Sequence, residues 1–224
     1  MFRPHHLAAL AMVSAPWATK AHAQDAEKGI YAVARAGGVI QPDQKLDRNG
    51  LPNVTIDDNT KYRTGVTGEI GGGYDFGMFR LEQTIGYTDL KLNRDRAEAG
   101  GFLADGRAKM FTMSVNGYVD IPLGRVFVPY VGGGVGVARV DADLSRVDAV
   151  TGAGSSYSGK DWGFLWHADA GLGIKVSRKA TVEVGARYTR VSSLTFDGQS
   201  DGVATQFAPQ LNGISGTVGL RYRF

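Results

Sequence analysis

Residues 217–224, Thr217-Val218-Gly219-Leu220-Arg221-Tyr222-Arg223-Phe224, decide how the rest of the chain is read. In an extended segment Val218, Leu220, Tyr222 and Phe224 share one face, while Thr217, Gly219, Arg221 and Arg223 share the other. Successive side chains of a strand point to opposite faces, so this segment is apolar on one side and polar or charged on the other. A strand placed between lipid and a polar interior has that pattern. The question for the remaining chain is how often it recurs.

It recurs seven times upstream. Ile30, Ala32, Ala34 and Ala36 oppose Tyr31, Val33, Arg35 and Gly37 in a segment at about 30–40. At 66–76, Val66, Ile70, Tyr74 and Phe76 oppose Thr67, Glu69, Gly73 and Asp75. Phe79, Leu81, Ile85 and Tyr87 oppose Arg80, Glu82 and Thr84, and Phe111, Met113, Val115, Val119 and Ile121 oppose Thr112, Ser114, Asn116 and Asp120. Further on, Phe127, Val131, Val135 and Val137 oppose Tyr130 and small residues. Phe164, Trp166, Leu172, Ile174 and Val176 oppose His167, Asp169 and Lys175, and Val182, Val184 and Tyr188 oppose Glu183 and Arg187. Period-2 alternation over segments of this length is the signal of half-buried strands.

The placement of charge discriminates between two all-β architectures. The apolar parity carries no Lys, Arg, Asp or Glu in the central part of any segment. The opposite parity carries Glu69, Asp75, Glu82, Asp120, Asp169 and Glu183 together with Arg35, Arg80, Lys175, Arg187, Arg221 and Arg223. A soluble sandwich would pack its apolar faces together and turn these charges to water. A membrane barrel turns the apolar faces to lipid and encloses the charges. A one-residue register slip would then move the charges into hydrocarbon, at about 2–4 kcal/mol for each mid-membrane Arg or Lys, so register is tightly specified.

Connection lengths orient the barrel. Short turns are expected at Gly77-Met78, around Pro122-Leu123-Gly124 and around Ser177-Arg178-Lys179. Long polar loops are expected at roughly 41–63, 93–108, 141–160 and 191–209. Outer-membrane barrels place short turns in the periplasm and long loops outside. Tyr74, Phe76, Phe79, Phe127, Tyr222 and Phe224 would form the periplasmic aromatic girdle, and Tyr87, Phe111, Trp162, Phe164 and Trp166 the outer one.

The amino terminus points to the same compartment. Arg3, His5 and His6 precede an apolar stretch, Leu7–Ala18, and Ala21-His22-Ala23 offers a small-x-small cleavage pattern before Gln24. These features predict a signal peptide over 1–23 and a barrel domain over 24–224. The stretch is shorter than the ~20 residues of a spanning helix. The full chain has 25 Lys and Arg against 22 Asp and Glu, and the leader holds Arg3 and Lys20 but no acid. The mature chain is therefore nearly neutral, and nucleic acid is not an expected partner. With no cysteine there is neither a disulfide framework nor a thiolate metal site.

Several stretches carry a family resemblance: Gly71-Gly72-Gly73-Tyr74-Asp75-Phe76, Arg80-Leu81-Glu82, Pro129-Tyr130-Val131-Gly132-Gly133-Gly134-Val135-Gly136, Gly185-Ala186-Arg187-Tyr188 and the terminal segment. The chain resembles small outer-membrane β-barrel proteins of the opacity-protein and surface-antigen type, built like the OmpA transmembrane domain. That resemblance implies an eight-stranded antiparallel up-and-down barrel in the outer membrane of a Gram-negative cell. It also implies that Thr217, Gly219, Tyr222 and Phe224 form the insertion signal read by the barrel-assembly machinery. The expected partners are outer-membrane lipid and lipopolysaccharide, and the expected state is a monomer.

Function is less directly encoded. An eight-stranded lumen is only wide enough to be filled by side chains, so the interior charges are expected to pair into a plug. The alternative is a narrow, low-conductance pore gated by rearranging those pairs. An enzyme would need a nucleophile with a positioned base. After residue 23 the only histidine is His167, on the inward parity near Asp169, and it is expected to be satisfied within the plug. Asp57-Asp58, Asp141 and Asp143 lack a full set of calcium-ligand spacings, so no metal or cofactor is expected. The reading is a non-enzymatic barrel with an envelope-integrity role, with a small porin or an adhesin as alternatives. Deleting Phe224, or Phe224→Asp, is expected to lower outer-membrane yield in cell fractionation; unchanged surface abundance would refute the assembly role.

Overall fold

Ten antiparallel strands form one sheet in the computed structural model, which describes residues 28–46, 65–91, 102–121 and 123–224. The expected leader and the parts of the first two loops at 47–63 and 93–101 lie outside these residues. The strands are β1 (Gly29–Leu46), β2 (Gly65–Asp75), β3 (Phe79–Lys91), β4 (Phe102–Asp120), β5 (Phe127–Asp148), β6 (Gly154–Lys175), β7 (Ala180–Ser192), β8 (Phe196–Ser200), β9 (Val203–Phe207) and β10 (Pro209–Arg223). Eight of them close a ring in the order β1-β2-β3-β4-β5-β6-β7-β10, with β10 returning to β1. Closure leaves the membrane-spanning part without an edge, which lipid requires because it offers no hydrogen bonds.

The ring has a lipid-facing band whose limits can be read from side chains. On β10, Ile214, Val218, Leu220 and Tyr222 are exposed, while Ser215 and Arg221 are buried on the other parity. Ile214–Tyr222 matches the ~9–11 residues a tilted strand needs to cross the hydrocarbon. The same holds for Phe79, Leu81, Ile85 and Tyr87 on β3 and for Phe111, Met113, Val115 and Val119 on β4. At the turn end, Tyr74 and Phe76 have ring centroids 4.7 Å apart, Phe76 and Phe79 6.1 Å, and Tyr222 and Phe224 5.7 Å. These rings cluster at the turn end of the band, where a girdle is expected.

Above the band the pattern inverts, and here the loop expectations need correction. The stretch 141–160 is not a long loop: β5 and β6 pair from Phe127↔Ile174 to Val147↔Gly154, leaving only residues 149–153 as a turn. That turn is capped by Asp148, whose carboxylate accepts the N–H groups of Val150 and Thr151, both at 2.9 Å. These hydrogen bonds hold its pKa below the ordinary carboxylate value. Likewise 102–108 belongs to β4, and 191–209 holds the β8–β9 hairpin, which pairs with β6 through Ser155↔Ser200 and Tyr157↔Gly198. The physical reason is a change of solvent. Val140, Ala142 and Leu144 point inward and are buried, whereas Arg139, Asp141, Asp143 and Ser145 point outward. A strand surrounded by water turns its polar parity out, so a search for lipid-facing alternation ends at Val137 although the strand runs on.

The barrel interior is therefore layered. A charged layer fills the turn half. An apolar layer fills the loop half, where Val39, Leu90, Ala108, Ala138, Val140, Leu144, Leu165, Val191 and Leu211 pack together. The hairpin closes this layer: Phe196 and Phe207 lie 5.3 Å from Tyr157, ring to ring, and all three are at most 2% exposed. The hairpin is entered through Ser193, at φ 63°, and turns at Asp201-Gly202, at φ 49° and 78°.

Glycines let the large inward rings fit. A Cβ at Gly171 would lie 2.5 Å from the Tyr130 ring and 2.6 Å from the Val184 carbonyl oxygen. At Gly216, on the lipid face, a Cβ would meet nothing within 4 Å. Gly171→Val is expected to destabilise the barrel by about 1–3 kcal/mol through overpacking. Gly216→Ala is expected to leave it folded. Heat-modifiable gel mobility, compared with and without boiling, checks both.

Candidate functional site

The charged layer arises from strand parity alone: each strand contributes inward residues at every second position, and the register sets their height. Arg35↔Glu69 on β1–β2, Asp75↔Arg80 on β2–β3 and Asp169↔Arg187 on β6–β7 are directly opposed. Arg35 contacts three carboxylates, Glu69 at 2.8 Å, Glu82 at 2.6 Å and Glu183 at 2.9 Å. Arg187 joins Glu69 and Asp169, each at 2.5 Å, and donates to the Tyr118 hydroxyl at 3.3 Å. Arg80 donates to Asp120 at 2.9 Å and lies 3.4 Å from Glu183. Arg221 lies 3.1 Å from Glu183, 3.4 Å from Asp120 and 3.5 Å from Asp75. Arg223 bonds Asp75 at 2.9 Å.

Glu183 is the hub, with Arg35, Arg80 and Arg221 around its carboxylate and 1% exposure. Tyrosines complete the packing. The Arg80 guanidinium lies 4.7 Å from the Tyr118 ring and 5.3 Å from the Tyr130 ring. Among the described residues its Nη2 has no hydrogen-bond acceptor, and those π faces take the place of one. Tyr31 donates to Glu82 at 3.1 Å.

His167 lies at the upper edge of this layer, on the inward face of β6. Its Nδ1 is 2.6 Å from Asp169 and its Nε2 is 2.9 Å from the Asn116 side-chain oxygen. Both ring nitrogens are thus held and the residue is 4% exposed. Above it lies a cavity of about 70 Å³, walled by Thr67, Thr88, Thr112, Ser114 and Thr189 and roofed by Leu90, Met110, Leu165 and Leu211. Its volume admits a few waters.

The structure brings together all the expected interior charges except one. Lys175 is exposed, as the last residue of β6, and among the described residues it has no ion pair. Parity assigns it inward, but depth places its ammonium beyond the mouth, where water is the better partner. Tyr31 and Tyr118 also belong to the layer, and both lie on the charged parity of their segments. The apolar roof leaves no trace in lipid-facing alternation, because its residues occupy the opposite parity.

A closed ring with an apolar belt and an ionic interior identifies an architecture, and comparison with known proteins gives the family. The family described as outer membrane protein beta-barrel domain matches residues 6–224. The chain belongs to that family. A putative adhesin of Rickettsia conorii is 28% identical over 165 residues, covering 70% of this chain and 66% of the relative. Outer membrane protein PagN of Salmonella typhimurium is 28% identical over 185 residues, covering 75% of this chain and 76% of PagN. The crystal structure of Neisserial surface protein A shares the fold, with a TM-score of 0.50 at 16% identity, over 88% of this chain and 99% of that one. This member of the outer-membrane barrel family is accordingly a Gram-negative outer-membrane protein.

Removing one partner from a buried ionic network leaves charges that nothing else can satisfy. Glu183→Gln is expected to cost about 3–5 kcal/mol. Lys175→Met is expected to change stability by less than about 0.5 kcal/mol. Urea unfolding of the protein refolded in detergent micelles separates the two.

Proposed function

We propose that this protein is a closed, non-enzymatic outer-membrane barrel that displays a rigid extracellular sheet for attachment to another surface. The single observation behind this reading is the apical extension. β5 continues from Ala138 to Asp148, a run on the order of 35 Å at ~3.3 Å per residue. β4, β6, β8 and β9 continue the sheet around it. Envelope integrity, the first expectation from sequence, needs only the membrane band. An ordered platform held well above it serves recognition better. The naming of the Rickettsia relatives as putative adhesins agrees with this.

The porin alternative has less support. The lumen is crossed first by the ionic layer and then by the apolar roof, and each would have to open for ions to pass. A catalytic role for His167 has equally little, since both its nitrogens are engaged inside the wall.

Asp141 and Lys160 face each other across β5–β6, 3.3 Å apart at their charged groups. Replacing residues 142–159 by an Asn-Gly turn between them would therefore shorten the platform without disturbing the band. The shortened protein is expected to keep heat-modifiable mobility while host-cell attachment falls to that of cells lacking the protein. Unchanged attachment would return the reading to envelope structure. Planar-bilayer recordings of the unaltered protein are expected to show no reproducible single-channel steps.

A further inference from the structure

We infer that the periplasmic rim of the barrel, where β5, β6 and β7 meet their short turns, gathers anionic glycerophospholipid of the inner leaflet through Arg125, Arg178 and Lys179. Two turns build this part of the rim. The β4–β5 turn carries Arg125 and is closed by the Leu123 N–H on the Phe127 carbonyl at 2.9 Å. The β6–β7 turn carries Arg178 and Lys179, and the N–H groups of Val176 and Ser177 close it on the Ala180 carbonyl at 3.0 and 3.1 Å. The Lys175 N–H donates to the Val126 carbonyl at 2.9 Å, so the two turns stand side by side. The Arg223 N–H donates to the Lys179 carbonyl at 2.7 Å and continues the row to β10. Arg125, Arg178 and Lys179 are all exposed, and Lys175 stands between them at the mouth.

The rim has one sign of charge. Neither turn contains an Asp or a Glu. The acids on the strands beside them, Asp120 on β4 and Glu183 on β7, are buried in the lumen and held by Arg35, Arg80 and Arg221. Asp75 on β2 is held by Arg221 and Arg223. Phe224 is tied to the β1 side of β10, its N–H on the Ile30 carbonyl at 3.1 Å. Lys28 closely follows Asp25 and Glu27 in the sequence and is no part of the cluster. The loop end of the band is different: Asp89, Lys109, Asp141 and Lys160 face one another across β3–β6 in a row of alternating sign. That row neutralises itself, whereas the turn-side cations project an uncompensated field that draws anionic headgroups. Apolar surface at the same height favours a lipid over a soluble anion. Leu123, Val126, Phe127 and Val176 are between 45% and 61% exposed and alternate along the chain with the cations. Acyl chains fit against these residues, while the long stems of Arg and Lys carry their charge out to the phosphates. A headgroup of net negative charge is preferred to a zwitterionic one, whose own ammonium opposes the field.

The test uses the whole purified protein in detergent and native mass spectrometry, with phosphatidylglycerol and phosphatidylethanolamine of matched acyl chains offered in equal amounts. The unaltered protein is expected to retain phosphatidylglycerol at least ~5-fold over phosphatidylethanolamine, the scale of one cation acting at a lipid surface. The triple variant Arg125→Gln, Arg178→Gln, Lys179→Gln is expected to hold the two lipids equally. The variant Lys109→Gln, Lys160→Gln, which removes two cations from the other end of the band, is expected to keep the preference. Equal retention by the unaltered protein, or an unchanged preference in the triple variant, would overturn the site. Loss of the preference in the Lys109, Lys160 variant would overturn it in favour of net charge alone. Displacement by inorganic phosphate at constant ionic strength would overturn it in favour of a free-anion site. Heat-modifiable mobility verifies that each variant is folded. If the triple variant is not, Arg178→Gln, Lys179→Gln replaces it and is expected to weaken the preference, no change again overturning the site. Cell attachment is a separate readout, so the lipid site and the adhesive reading stand or fall independently.

Discussion

Glu183 shares its carboxylate among three arginines inside a wall that excludes both water and lipid, and the membrane half of the barrel depends on that arrangement. A lone ion in such a place would be prohibitively costly to bury. Here every guanidinium of the layer has carboxylate neighbours, and Arg80 adds the faces of Tyr118 and Tyr130. Partners come from strands on opposite sides of the ring, such as β3 with β7 through Arg80 and Glu183. The layer therefore ties the ring across its diameter as well as around its circumference. Any register error would separate these partners and also bring charge to the lipid face, so two independent costs specify the same register.

The second organising fact is that one strand meets two solvents. On β5 the inward set changes from Tyr130 and glycines below to Val140, Ala142 and Leu144 above, while the outward set changes from Val131, Val135 and Val137 to Arg139, Asp141 and Asp143. The backbone continues through this change without a break in pairing. Below, lipid is outside and the polar groups seek one another within. Above, water is outside and the hydrophobic effect collects the apolar groups within, as in a soluble barrel. The boundary is marked by Tyr87, Phe111, Trp162 and Tyr188, with Asp89, Lys109, Lys160 and Arg190 next along the same strands. The extension above and the plug below then share one continuous scaffold.

The membrane-spanning strands were legible because lipid imposes a strict rule on every second residue. Ile30–Ile40, Val66–Phe76 and Phe79–Tyr87 each lie close to an observed strand. The strand extensions at 138–148 and 154–163 were not legible as such. Their polar outward residues have the composition of loops, and their apolar inward residues break the lipid-facing parity. The β8–β9 hairpin was hidden for a similar reason: its strands are five residues each, and Phe196 and Phe207 read as isolated aromatics until the fold stacks them on Tyr157.

Sequence by itself determined which side chains face lipid and, Lys175 apart, which charges are enclosed, because alternation is a property of a single extended segment. It did not determine which charges meet. Parity gives the face of a residue, whereas height comes from cross-strand register and from the tilt of a closed ring, and both are properties of many strands together. Lys175 shows the difference: its parity is inward, but its height leaves it in water. Only the tertiary structure decided that Glu183 is the hub and that an apolar roof closes the lumen, since each of these is set by strands meeting across the barrel.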